Sequence, residues 1–165
     1  MNELYAEAGV KRKDTMGTFA MRFILIFVAI SAFLLTFQNS ILLFISAILI
    51  VAIVYIFPRL NVQYEYVFCD GQLDFDKIMG NAKRKTALKL DFDHVAIMAP
   101  AGSHALDGYT YIKTTVKDFS SRRKDVKPYV IVTRQGELTT KILFEPNEKM
   151  IGCIKSKYPR KISEF

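Results

Sequence analysis

The sequence is poor in the residues that build metal centres, disulfide frameworks and familiar catalytic motifs. Its 165 residues include two cysteines, two histidines and no tryptophan. Cys69 and Cys153 stand without a CxxC or metal-ligand spacing, and His94 and His104 belong to no HxH or HExxH pattern. The sequence also has no Gly-rich phosphate loop and no GxSxG elbow. We therefore predict no catalytic residues, no metal, no cofactor and no enzymatic activity.

Charge is almost missing from one long stretch of the chain. Residues 19–57 contain one charged side chain, Arg22, and one polar break, Gln38-Asn39-Ser40. A bilayer crossing needs roughly 20 apolar helical residues, so we predict a transmembrane hairpin with spans at 19–37 and 41–57. Neither run has the polar face of a helix in a soluble protein. A signal peptide would be followed by a polar mature chain, whereas here a second apolar run follows.

The charges that flank this hairpin predict its orientation. Lys11-Arg12-Lys13 precede the first span, Arg22 lies at its entrance and Arg59 follows the second span, while the connecting residues are uncharged. Positive residues stay on the cytoplasmic side. We therefore predict a multi-pass protein of the cell membrane with both termini cytoplasmic, comprising an N-terminal segment (1–18), the hairpin (19–57) and a cytoplasmic domain (58–165).

Neither span contains the ionisable residues that a transport path normally keeps. The two runs lack Asp, Glu, Lys and His, and Arg22 lies at an edge. They also lack GxxxG, although small residues such as Ala29, Ala32 and Ser46 would allow close helix packing. The spans therefore read as an anchor, with the lipid bilayer as the first partner.

The positive charge of the chain is concentrated in the residues after the hairpin. The whole chain has a formal net charge of +7, and residues 58–165 carry 19 Lys or Arg against 13 Asp or Glu. A basic surface suits an anionic leaflet. Nucleic acid would suit the charge as well, but no binding motif supports it, and we do not expect a nucleic-acid partner.

After Pro58 the apolar residues alternate with a period of two, which indicates half-buried strands. Asp70-Gly71 is predicted to form a hairpin turn. The first four strands are predicted to form a meander. The predicted strands lie at 62–69, 72–79, 88–92, 94–99, 111–116, 129–133 and 138–144. A C-terminal helix is predicted with Pro146 in its first turn, because Met150, Ile151, Ile154 and Tyr158 share one helical face, and Pro159 ends it.

Several of these segments resemble a known kind of domain. The run from Tyr64 to Phe75, followed by Lys83-Arg84-Lys85, resembles the opening of bacterial PH-like domains found behind paired transmembrane helices. The order of parts is similar to a family of small bacterial two-span membrane proteins. The resemblance implies two transmembrane helices followed by a β-rich (α+β) domain, a PH-like antiparallel barrel of about seven strands capped by a C-terminal helix.

One feature departs from the PH domains that bind phosphoinositides. Those domains place basic residues in the loop between their first two strands. Here that loop is predicted to be Asp70-Gly71, which is short and acidic, with Asp74 and Asp76 close by. Phosphoinositide binding therefore does not follow from the fold.

Two basic clusters are candidate sites for anions or partners. Lys83, Arg84 and Lys85 follow a Gly-Asn turn, and Arg122, Arg123 and Lys124 lie in a long polar loop. Either cluster could contact a lipid headgroup or an acidic partner, but a solvated hairpin tip that discourages aggregation and a flexible polar loop are the alternatives. Asp91, Asp93 and His94 form the closest approach to a catalytic constellation, although Asp is common in turns for local hydrogen bonding.

Three functions are consistent with these features. The leading hypothesis is a membrane-anchored binding or scaffolding module at the cytoplasmic face, for anionic lipid headgroups or another membrane protein. The alternative is an accessory subunit of a larger membrane complex. A membrane-bound hydrolase that uses Asp91, Asp93 and His94 is the third.

Overall fold

The computed structural model describes residues 4–37, 40–80, 83–135 and 138–163, and for Ser40, Leu42, Lys83 and Gln135 it describes the backbone alone. The chain forms two compact units. The first unit is Met1–Arg12, Gln63–Ile78 and Arg84–Phe165, and the second is Lys13–Val62 and Met79–Lys83.

The second unit is built on a helical hairpin. Helix α1 is Met16–Leu35 and helix α2 is Ser40–Ile56, and the two helices contact each other. The Thr15 side chain accepts from the Thr18 N–H and caps α1, which therefore begins three residues before the predicted span. A short 3₁₀ helix, Phe57–Leu60, follows α2 with Pro58 near its start. The helix pair is confirmed.

The first unit contains two four-stranded sheets, and the first sheet has the order β1-β2-β3-β4. Its strands are β1 (Tyr5–Lys11), β2 (Val62–Cys69), β3 (Gln72–Met79) and β4 (Lys83–Asp91). Strand β1 pairs antiparallel with β2 from Tyr5↔Cys69 to Lys11↔Gln63. Strand β1 was not predicted, whereas β3 has the predicted bounds.

The second sheet has the order β5-β7-β8-β6. Strand β6 runs parallel to β8, while the β5–β7 and β7–β8 pairs are antiparallel. Its strands are β5 (Val95–Pro100), β6 (Thr114–Asp118), β7 (Tyr129–Gln135) and β8 (Leu138–Phe144).

This arrangement corrects the predicted barrel of about seven antiparallel strands. The described residues form eight strands in two separate sheets rather than one closed barrel, and the β6–β8 pair is parallel. The predicted four-strand meander stops after its third strand, because the chain turns through a 3₁₀ helix at Phe92–His94 and carries β5 into the second sheet. The fold is nevertheless β-rich with a C-terminal helix, as predicted.

Both sheets and the C-terminal helix contribute to the core. Tyr66 of β2 makes edge-to-face contacts with Phe75 of β3 and Phe144 of β8, with ring centroids 5.6 and 5.5 Å apart. Each such pair adds about 0.5–1.5 kcal/mol beyond its buried area. Helix α3 (Glu148–Lys157) buries Met150 and Ile154. Pro146 lies ahead of its N-cap, Asn147, rather than in its first turn.

Candidate functional site

The helical hairpin occupies the connection between the first two strands of the first sheet. Strand β1 ends at Lys11, helix α1 begins at Met16, α2 ends at Ile56 and β2 begins at Val62. Lys11 and Gln63 are paired residues in the ladder, so the chain leaves the sheet and returns to it at one point. The connection between the first two strands is therefore the helical hairpin, and Asp70-Gly71 is the next turn along.

The same end of the first sheet carries the turn between β3 and β4. Connections of two residues (70–71) and three residues (80–82) join β2, β3 and β4, and such short connections permit only antiparallel neighbours. The end of β1 and the starts of β2 and β4 therefore lie at one end of the sheet. Within the second unit, the Gly80 N–H donates to the Asn61 carbonyl at 3.1 Å.

The first predicted cluster lies at the start of β4 rather than in a hairpin tip. The side chain of Lys83 is outside the described part of the chain, and Lys85 is exposed. Arg84 reaches across the sheet, with its Nη2 3.0 Å from Glu65 Oε2 on β2 and its Nε donating to Asp76 Oδ2 on β3 at 2.7 Å. Arg84 is therefore held by two carboxylates.

This ion pair shifts the pKa of both partners. Burial alone would raise the pKa of Asp76, but hydrogen bonds from Thr86 and Arg84 outweigh it and hold the pKa below its ordinary value. The hydrogen bond that Arg84 donates to the Asp76 carboxylate raises the pKa of Arg84. Both groups therefore stay charged at neutral pH, and they tie β4 to β3.

The end of β1 adds Lys11 and Arg12, two of the cations that predict the orientation of the hairpin. Lys11 is exposed, and Arg12 donates through Nη1 to the Tyr64 hydroxyl at 2.8 Å. We call Lys11, Arg12, Arg84 and Lys85 the basic end of the first sheet. The grouping could not be found from the sequence, because it depends on β1 pairing with a strand more than fifty residues away.

The second predicted cluster belongs to an ordered loop. Arg122 has a positive φ of 58° and pairs through Nε with Asp118 Oδ2 at 2.6 Å. Ser120 donates twice to Asp118 Oδ1, and Ser121 donates through its N–H and hydroxyl to Glu145 Oε1 at 2.8 and 2.7 Å. The loop is therefore fixed by two carboxylates.

One of the two remaining members of this cluster lines a small cavity. Arg123 and Lys124 are exposed. Arg123 lines a cavity of about 170 Å³ together with Lys11, Gly9, Val10, Ser121, Val126 and Glu145. The fold thus brings a cation of the loop beside a cation of the basic end, although they are 112 positions apart in the chain. Glu145 Oε1 accepts two hydrogen bonds from Ser121, and the cations of this lining are Lys11 and Arg123.

A larger cavity of about 640 Å³ lies at the opposite end of the first sheet. Asp70, Lys89, Asp91, Asp93, Lys157 and Tyr158 are among the residues that line it. The Asp70 carboxylate accepts from Lys157 and raises its pKa, and Lys89 lies 3.8 Å from Asp74. The Lys161 ammonium donates to the carbonyls of Phe92 and Asp93 at 2.7 and 2.8 Å. These lysines are therefore engaged by the protein itself.

Asp91 and Asp93, two of the three residues considered for catalysis, line this cavity. Asp91 Oδ1 accepts from the Asp93 N–H at 2.9 Å, which is the local turn bond expected of Asp. Burial, followed by a hydrogen bond with Asp93, raises the pKa of Tyr158. His94 is exposed and does not line the cavity. Over the ranges that the structure describes, no group of three His, Cys, Asp or Glu side chains could hold a metal ion.

Comparison with known proteins gives one match. Residues 2–164 match the family model described as a bacterial PH-like domain (DUF6106). No curated protein and no solved structure matches the chain.

Proposed function

Because the chain belongs to the bacterial PH-like domain family (DUF6106), whose fold is typically a non-catalytic binding module, we propose that it is a membrane-anchored binding or scaffolding module at the cytoplasmic face. The observation that carries the proposal is the place of the apolar hairpin, between β1 and β2. A hairpin inserted there anchors the domain by the end of the first sheet.

The composition and exposure of the two helices support membrane insertion. They contain 20 and 17 residues, or about 30 and 25 Å at 1.5 Å per residue. Two stretches are long and apolar enough to cross a membrane, Met16–Leu35 and Leu43–Leu60, of which the second runs from α2 through the 3₁₀ helix. Helix α1 buries none of its residues. Side chains such as Phe23, Phe27 and Val51 are about two-thirds exposed. In water this surface would be costly, whereas lipid would cover it.

Arg22 is accommodated at the edge of the anchor. Its guanidinium donates to both Asp14 carboxylate oxygens at 2.8 and 3.1 Å and to Asn61 Oδ1 at 2.7 Å. These partners lie in the chain just before α1 and just after the second helix. Paired in this way near the interface, Arg22 avoids the cost of about 2.5–3.5 kcal/mol that an arginine incurs at the centre of a span.

The topology and the flanking charges support a cytoplasmic domain. The paired residues Lys11 and Gln63 precede and follow the hairpin, so both helices have their outer ends on one side of the membrane. That side carries Lys11-Arg12-Lys13 and Arg59, whereas the connecting residues 38–40 are uncharged. The positive-inside rule then places 1–18 and 58–165 in the cytoplasm.

The ligand that best fits this position is an anionic lipid headgroup. The basic end of the first sheet is where the chain enters the anchor, and a Lys or Arg near an anionic leaflet gains about 1 kcal/mol. The cavity of about 170 Å³ is lined by two cations, Lys11 and Arg123, against one carboxylate, Glu145, and the two cations are suited to a headgroup phosphate. Another membrane protein with an acidic surface is the second partner consistent with these cations.

The lysines Lys85 and Lys89 provide a matched test on one strand. They lie four residues, or about 13 Å, apart along β4, and both are exposed. The full chain would be placed in nanodiscs of neutral lipid with or without phosphatidylglycerol, and the acylation rate of each lysine measured by mass spectrometry. We expect the anionic lipid to slow Lys85 and Lys11 roughly fivefold, because 1 kcal/mol corresponds to that factor.

Lys89 is the internal control, because the attraction of the surface decays within a Debye length of about 8 Å. Its rate should stay the same in the two lipid mixtures. Equal slowing of Lys85 and Lys89, or no slowing of either, would show that the basic end does not contact lipid.

A further inference from the structure

The four outer edges of the two sheets are protected to very different degrees. Helix α3 covers the β1 edge, where Asn147 Nδ2 donates to the Glu7 carbonyl at 2.8 Å. The C-terminal residues cover the β5 edge, since the Met98 N–H donates to the Lys161 carbonyl at 2.7 Å and the Ser163 N–H to the Met98 carbonyl at 2.9 Å. Strand β4 carries four cations, Lys83, Arg84, Lys85 and Lys89, which discourage pairing with a second strand.

Strand β6 is the edge without such protection. It is the outermost strand of the second sheet, and the described residues place no further strand beside it. Its sequence, Thr114-Thr115-Val116-Lys117-Asp118, begins with three β-branched residues, and Val116 is 59% exposed. Thr115 and Lys117 are exposed as well. An exposed edge of this composition favours pairing with another strand.

The hydrogen bonds to β8 determine which groups β6 can offer. The Phe119 N–H donates to the Leu143 carbonyl at 2.9 Å. In a parallel pair, alternate residues direct their N–H and C=O to the same neighbour. Residues 115, 117 and 119 therefore face β8, and the backbone groups of Thr114, Val116 and Asp118 face away from it. These are the three residues that can bond a new strand.

We propose that β6 pairs with the β6 strand of a second copy of this chain, antiparallel and centred on Val116. This register places Val116 opposite Val116 and Thr114 opposite Asp118, so the outward backbone groups of all three residues find partners. Lys117 lies opposite Thr115, and no two like charges meet. The pairing joins the two second sheets into one continuous eight-stranded sheet.

The charges of the strand select this register over its neighbours. A two-fold axis through Thr115 would place Lys113 opposite Lys117, and an axis through Lys117 would place that lysine opposite its own copy. Like charges directly opposite destabilise a strand pair. An axis between two residues would match outward groups with groups that already bond β8. An axis through Asp118 would place that carboxylate opposite its own copy, and an axis through Thr114 would pair Val116 and Asp118 with residues 112 and 110, outside β6. The register centred on Val116 avoids these problems and pairs all three outward-facing residues with β6 of the second copy, which makes the edge self-complementary.

Cysteine cross-linking of the full chain in detergent tests the register. In a background with Cys69→Ser and Cys153→Ser, Val116→Cys places two thiols on the axis, where Cα atoms about 5.5 Å apart permit a disulfide. Lys113→Cys is the matched control, because its two copies lie six positions apart, or about 20 Å. After mild oxidation, we expect a covalent dimer from Val116→Cys and none from Lys113→Cys.

A second variant, Val116→Asp, tests the affinity of the dimer. It introduces two carboxylates that face each other across the two-fold axis. Native mass spectrometry should show the dimer weakened about tenfold or more, with circular dichroism unchanged because the side chain is exposed. A chain that stays monomeric, cross-links equally at both positions, or cross-links at Val116 only to a different protein would overturn the proposal. The detergent contains no anionic lipid, so this outcome is independent of lipid binding.

Discussion

Gly80 occupies a position that leaves no room for a side chain. Its φ is +52°, and a Cβ atom at this position would lie 2.6 Å from Pro58 Cβ and 2.7 Å from the Pro58 carbonyl group. The turn before β4 can therefore approach the end of the helical hairpin only if residue 80 has no side chain. The contact with Pro58 explains the glycine at position 80 better than turn propensity alone does.

We expect Gly80→Ala to destabilise the protein by about 2 kcal/mol or more. A left-handed alanine costs about 1–2 kcal/mol, and the ring and backbone of Pro58 must shift as well. Gly102→Ala is the control, since Gly102 has a φ of +86° but no atom within 4 Å of its Cβ position. The thermal midpoint in detergent, followed by circular dichroism, should fall further for Gly80→Ala. Equal losses would show that the Pro58 contact is unimportant.

Asp118 gives the stability of the loop a dependence on pH. Burial works to raise its pKa, but hydrogen bonds from Ser120 and Arg122 prevail, and the pKa lies below its ordinary value. A lowered carboxyl pKa stabilises the fold above the unfolded value of about 3.9. The contribution is lost as the pH falls through the lower, folded value.

Asp118→Asn should therefore lower the unfolding midpoint at pH 7 and make it less sensitive to acid. The measurement is the denaturant midpoint of both proteins at pH values from neutrality to below 4. Asp107→Asn, a change at an exposed aspartate beside His104, is the control and should leave the acid dependence unchanged. Parallel midpoint curves for wild type and Asp118→Asn would contradict the role assigned to the loop carboxylate.

Among the elements, those with strong local patterns were predicted well. Strands β2, β3 and β8 have the predicted bounds, because alternating apolar residues and neighbouring turn residues identify each of them. Strand β1 was missed because Tyr5–Lys11 includes Gly9 and two alanines, and its partner lies beyond the whole hairpin. The parallel pairing of β6 was also missed, since a sequence pattern shows a strand but not its neighbour.

The candidate sites show the same limit. The sequence identified both basic clusters, but it could not show that Arg84 is held by Glu65 and Asp76 from two other strands. Nor could it show that Lys11 and Arg123 line one cavity. The type of each residue can be read from the sequence. Whether a carboxylate pairs with a given cation depends on strand pairing between distant parts of the chain.

The insertion of the hairpin between β1 and β2 predicts how the first unit can be isolated. Replacing residues 12–62 by Asn-Gly would join Lys11 to Gln63 through a two-residue turn, the length and sequence that favour a β-hairpin. We expect this protein to be soluble and to show a cooperative thermal transition by circular dichroism.

A fragment that starts at Asn61 is the natural comparison. It lacks β1, so the edge of β2 and the surface under α3 lose their partner, and we expect it to aggregate. Solubility and gel-filtration profiles of the two proteins would show whether β1 is required for a soluble fold. A folded, monomeric fragment would show that β1 is dispensable to the sheet.

For the molecule as a whole, the proposed topology requires two spans that place the first unit, the PH-like unit, in the cytoplasm. Thiol labelling in bacterial cells tests this directly, because Cys69 is exposed on the PH-like unit and Asn39, outside the described residues, lies in the predicted external connection. A membrane-impermeant maleimide should label Asn39→Cys, with both native cysteines replaced by Ser, in intact cells. It should label Cys69 of the otherwise native chain only after permeabilisation. Labelling of Cys69 in intact cells, or protection of Asn39→Cys there, would contradict the proposed topology.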